Sequence, residues 1–240
     1  MLSTVTAFEP IFRGGGRTRA LTIVRHRAAR SMKLAVDPRD ATVRLTLPVR
    51  QPLQRGLAWA SEKRDWVEGQ LARLPEPQPI MPDMALRVGD DVMTLRWSPE
   101  HRRTPERTLH ELRIGGPLDS LGTRIIRWLK SEALQTLTEE TQALASAHEI
   151  VVTHVGIGVP KARWGSCAST GKIRYSWRLI LAPEHVRRAT VAHEVAHRVY
   201  MNHGPAFHAL VAELNGGDPA PARRWLRTHG ASLYWFGRDG

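Results

Sequence analysis

His193, Glu194, His197 and His203 fall within one stretch, TVAHEVAHRVYMNHGPAF, residues 190–207. Read as a helix turning about 100° per residue, it projects His193 and His197 from one face, about 40° apart and one turn above the other. Two imidazoles so placed can share one metal ion. Glu194 points to another side of the helix axis, where a carboxylate can hydrogen-bond a water on the metal instead of coordinating. The His-Glu-x-x-His spacing is therefore two ligands plus a general base. Catalytic sites of this kind take three protein ligands and keep a fourth position open. On an unbroken helix His203 would lie about 120° from His197, out of reach of the metal, so the helix must end between them. Met201-Asn202 offers the stop, because Asn tolerates the left-handed conformation. Gly204-Pro205 then opens the next helix. Glu213 and His208 are rival third ligands, and the short reach from Asn202 favours His203. The competing reading is an ordinary core helix. It would leave Glu194 as an unpaired acid on an apolar segment, which is costly when buried.

The elements that must position these residues follow from periodicity. Residues 1–19 read as a loose lead-in ending at Gly14-Gly15-Gly16. A β-rich amino-terminal part over 20–116 follows. In it KLAVDP and TVRLTLP alternate around an Asp-Pro-Arg-Asp turn, and ALRVGDDVMTLRW turns at Gly89-Asp90-Asp91. Between these hairpins, PLQRGLAWASEKRDWVEGQLARL has helical spacing from Pro52 onward. From 117 to 240 the character changes. A long amphipathic helix presents Leu121, Ile125, Trp128 and Leu137 on one side. Three short β-like runs span VVTHVGIGVPKARWGSCASTGKIRYSWRLILAP, then Pro183 sets off the histidine helix. A further helix runs from about Pro205, and one more lies in the tail. The whole reads as an α+β fold.

Composition narrows the setting. The chain has 240 residues and needs no cross-link to fold. Its single Cys167 cannot form an internal disulfide, which points to a reducing, cytoplasmic compartment. No apolar run reaches signal-peptide or membrane-span length, so no membrane partner is expected. Net charge is +12, which attracts polyanions such as nucleic acid or nucleotides. The arginines are dispersed, and charge alone names no substrate. RGGGR near residue 14 lacks the strand, Lys-Ser/Thr and helix of a phosphate-binding loop. Cys167 reads as a small packing residue and Trp177 as a core anchor.

RWGSC at 163–167, SWRLILAP at 176–183, VAHEVAH at 191–197, MNHGPAF at 201–207 and WL at 225–226 stand together in this order. With LPVRQPLQRGLAWASEKRDWV and the hairpin near 84–97, they resemble the YgjP-like metal-dependent hydrolases, relatives of SprT-type and other zincin metallopeptidases. The resemblance extends from about residue 20 to the end. It implies a zincin-like catalytic domain, zinc held by His193, His197 and His203, and Glu194 as general base. The family commonly has Ser after the third His and Trp after the following Phe; here those positions are Gly204 and His208. The expected function is hydrolysis by zinc-activated water, with a polypeptide as substrate. A nucleoside triphosphate is the alternative substrate, and a non-enzymatic zinc-binding module the alternative class. The RWGSC…GKIRYSWRLI hairpin would border the cleft, with Trp164 and Ser166 as wall and Arg163 or Arg174 meeting an anionic group.

Overall fold

The computed structural model describes residues 10–160 and 163–238, in two units that divide between Glu76 and Pro77. The first unit begins with a hairpin of β1 (Ile11–Gly14) and β2 (Arg17–His26). Gly15 and Gly16 close it with φ of 56° and 68°, the region open to glycine. Residues 1–9 of the expected lead-in lie outside the described residues, and the remainder is this hairpin. β3 (Lys33–Val36) and β4 (Val43–Pro48) pair antiparallel around the predicted turn. β2 lies parallel to β4, giving the order β1-β2-β4-β3. Val43, Leu45 and Leu47 alternate inward while Arg44 faces out, the period of a half-buried strand.

The helical stretch after Pro52 is two helices rather than one, α1 (Leu53–Glu62) and α2 (Arg64–Ala72), because Lys63 leaves the helical region at ψ 15°. Gly56 lets α1 approach β4: a Cβ there would stand 2.7 Å from Leu47 Cδ2.

In the second unit β5 (Ala85–Val88), β6 (Asp91–Trp97), β7 (Glu106–Arg107) and β8 (Glu111–Ile114) form a sheet ordered β5-β6-β8-β7. Their inward residues, among them Leu86, Leu95 and Ile114, share one core with the helices that follow. The predicted boundary at 116/117 thus falls inside this unit. α3 (Leu121–Ala147) buries Leu121, Ile125, Leu129, Ala133 and Leu137, a strict fourth-residue stripe. Trp128 only packs beside that stripe. Each fully buried leucine contributes roughly 1.5–3 kcal/mol.

β9 (His154–Gly158), β10 (Gly165–Cys167) and β11 (Lys172–Ser176) form a second sheet. β10 is an edge strand, antiparallel to the central β11. The β-like run past Ser176 is instead a 3-10 helix, Trp177–Leu181, and it buries Trp177. α4 (Glu184–Ala196), α5 (Pro205–Asn215) and α6 (Ala220–Leu233) complete the unit.

Two polar contacts fix α4 and the sheet on α3. The Arg187 guanidinium donates to both Glu140 oxygens at 2.7–3.0 Å, and the Thr141 and Tyr175 hydroxyls share a buried 3.0 Å hydrogen bond. Among the described residues, no helix is long and apolar enough to cross a membrane.

Candidate metal centre

α4 carries His193, with His197 at its cap, on a helix most of whose residues are buried and whose exposed positions are His185 and Arg188. It ends at Ala196, earlier than the expected stop at Met201-Asn202. There the ladder tightens: Arg198 N–H donates to Val195 C=O at 2.9 Å, and Val199 and Tyr200 N–H both donate to Ala196 C=O. His197 sits at the helix cap, and its Nδ1–H donates to Tyr200 C=O at 3.1 Å. That bond commits Nδ1 and leaves Nε2 as the free lone pair, the arrangement that orients a metal-binding imidazole. Asn202 does not adopt the left-handed conformation. Its side-chain oxygen instead accepts from Gly204 N–H at 3.4 Å, forming a turn. Gly204 and Pro205 then start α5.

This turn brings His203 back to the helix. The ligand nitrogens of His193, His197 and His203 lie within 4.8 Å of one another, a set able to hold one metal ion. The Nε2 atoms of His193 and His203 are 3.4 Å apart. Phe207, fully buried on α5, meets all three rings at centroid distances of 5.0, 4.5 and 4.7 Å. It gives the three imidazoles one shared apolar contact. In the sequence Phe207 is an aromatic residue four places after the third histidine, in the first turn of α5, and no metal motif assigns it a role.

Burial lowers the pKa of His193 to about 4, helped by the nearby His197, His203, Arg223 and His208. Burial also lowers that of His197, against the hydrogen bond it donates to Tyr200 C=O. Both rings are therefore neutral at pH 7, the state a metal needs. Burial pushes Glu194 up to about 7, opposed by Arg163. The Cys167 thiol is raised by burial, so it is no thiolate nucleophile.

A cleft of about 430 Å³ holds these groups. Arg163, Trp164 and Ser166 stand in its wall, as do Met201 from the turn and Arg223 and Leu226 from α6. Trp164 rests on Tyr234 at 5.3 Å and faces Gly230, where a Cβ would come within 2.8 Å of its ring. Arg174 is not in this wall. It lies opposite Ser166 on β11, with its stem over Gly158. Arg223 occupies the cleft instead and had no motif to announce it. The rival third ligands fall elsewhere: Glu213 sits 3.9 Å from His148 in a separate cavity, and the ring of His208 is 6.4 Å from that of His203, outside the nitrogen cluster.

An α+β unit with three histidines gathered in one cleft beside a buried glutamate has the features of a metal-dependent hydrolase. The chain belongs to the YgjP-like family, whose metallopeptidase domain model matches residues 30–229. No curated protein and no solved structure matches it.

Proposed function

We propose that this protein is a zinc-dependent peptidase, with His193, His197 and His203 as zinc ligands and Glu194 as general base. The gathering of one ligand nitrogen from each of three imidazoles within 4.8 Å carries this reading. Two nitrogens held at ~2.0–2.1 Å on one tetrahedral ion stand roughly 3.4 Å apart, and Nε2 of His193 and of His203 are separated by 3.4 Å. An all-nitrogen set suits zinc. When bound, zinc supplies a lowered water pKa and a polarised scissile carbonyl. Glu194 takes the proton of the attacking water and delivers it to the leaving amine. A carboxyl group poised near pH 7 can do both.

β10 supports a peptide substrate. Trp164 C=O accepts from Ser176 N–H at 2.7 Å, and Ala168 N–H donates to Lys172 C=O at 2.9 Å. By antiparallel alternation, the N–H and C=O of Gly165 and Cys167 point away from β11. An extended peptide can add to that edge, with Trp164 and Ser166 beside it and Arg163 available to a carboxylate. The lone Cys167 accords with work in the reducing cytoplasm.

A second reading keeps the metal and takes a nucleoside triphosphate. It is favoured by the two guanidinium groups, Arg163 and Arg223, that line the cleft. The deciding experiment assays zinc-loaded protein side by side on unfolded polypeptide and on nucleoside triphosphates, with a chelator control. Chelator-sensitive cleavage of polypeptide is the expected result. Turnover of triphosphates with none of polypeptide would overturn the peptidase reading.

A further inference from the structure

The sheet of the first unit has one covered and one open face. Phe12, Leu21, Val43, Leu45 and Leu47 point toward α1 and α2 and are buried. The ladder register puts the alternate residues on the other face: Arg13 opposite Thr18, Thr22 beside Arg44, and Val24 and Thr46 in line with Lys33. His26 lies on the same face at the end of β2. Most of these residues are exposed. No carboxylate occupies an outward position of this sheet among the described residues. Of the acids flanking the sheet, Asp37 is held by Arg39, Glu68 by Arg64 and by the backbone N–H of Arg13, and Asp40, in the β3–β4 turn, accepts from the backbone N–H of Thr42. Residues 1–76 hold fourteen of the 35 Lys and Arg but seven of the 23 acids, so the charge bias is concentrated in this unit.

The cations are ordered. Crossing the sheet from β1 to β3, Arg13, Arg44 and Lys33 step steadily along the strand direction and form one diagonal track. Lys33 and Arg44 are diagonal neighbours, roughly 7–8 Å apart at their Cα atoms. Thr18, Thr22 and Thr46 lie along the track and offer hydroxyl donors to phosphate oxygens. Among the described residues, His26 at the end of β2 is the one ring on this face and no Phe, Tyr or Trp lies there, so base stacking adds little to phosphate contacts.

We infer that the open face of the β1-β2-β4-β3 sheet binds single-stranded nucleic acid through its phosphates, along the Arg13–Arg44–Lys33 track and without sequence preference. One row of cations suits one backbone, and the absence of outward carboxylates gives the complementarity. The few apolar residues on the face, Ile11 and Val24, are too scattered to insert into a lipid surface.

The test measures binding of a labelled single-stranded oligonucleotide of mixed sequence across a salt series. The proteins are the full-length wild type, Lys33→Gln/Arg44→Gln, and the control Arg55→Gln/Arg73→Gln, which removes two exposed arginines from the helical side. All four positions are exposed, and circular dichroism checks that each variant folds. Losing two phosphate contacts should weaken binding about tenfold at low salt and flatten the log–log salt slope by about 1.4, at ~0.7 per contact. The control should stay within about twofold of wild type. No binding by wild type at low salt would overturn the inference, as would equal losses in both double variants. So would tighter binding to duplex DNA or to anionic phospholipid vesicles than to the single strand.

Discussion

Gly165 lies directly against Glu194: a Cβ at position 165 would stand 2.5 Å from Oε1, 2.6 Å from Cγ and 2.7 Å from Cδ of that glutamate. All three of its nearest neighbours belong to the one side chain. The edge strand β10 therefore sets where the carboxylate can sit, and only a residue without a side chain leaves it room. Gly165→Ala should keep the fold and the zinc content yet lower turnover by about 10²-fold, through a displaced base. Combining it with Glu194→Gln should cost little more than either change alone, because both remove the same function. Additive losses, measured as kcat/KM at matched zinc content, would show that Gly165 acts on something else.

Glu194→Gln should retain zinc, because no imidazole is touched, while hydrolysis falls by ~10²–10⁴-fold. Elemental analysis and turnover on the same preparation check both halves. Equal turnover by the two proteins would contradict the role given to Glu194.

His203→Ala should lose zinc affinity far more than Glu213→Ala. His203 shares the nitrogen cluster, whereas Glu213 faces His148 in a different cavity. Competition with a chromogenic chelator measures the difference. Zinc release by the Glu213 variant alone would reverse the assignment.

Metal-free protein should respond to pH through two opposed groups. Glu194 has a folded value of about 7 against 4.5 for the free side chain. Its contribution to stability is full below 4.5 and is lost as pH rises through 7. His193, at about 4 against 6.5, works the other way, contributing above 6.5 and losing that contribution as pH falls toward 4. Glu194→Gln should therefore raise the melting temperature of the metal-free protein at pH 8, with no such gain at pH 4. A thermal melt of both proteins at the two pH values decides it.

Features that depend on near neighbours along the chain were legible in the residues alone. A four-residue spacing places His193 and His197 on one side of any helix, whatever that helix packs against. Alternation made KLAV and VRLTLP strands, and the fourth-residue stripe made α3 a helix with one buried face. Gly204-Pro205 opened α5 because proline fits only a first turn there. The lysine at 63, by contrast, carried no local signal that α1 and α2 would part.

Which distant residues meet depends on how the elements pack. The end of α4 at Ala196 comes from carbonyls shared among three N–H groups and from the His197–Tyr200 bond, which no propensity encodes. Whether His203, His208 or Glu213 joins the first two histidines depends on the path of the turn and the packing of α5. Arg223 enters the cleft and Arg174 stays out because strand register and helix placement, not residue type, aim a guanidinium. Phe207 beneath the three rings and Gly165 beside Glu194 have the same origin. Each is a contact between elements, and its energy exists only once those elements are packed.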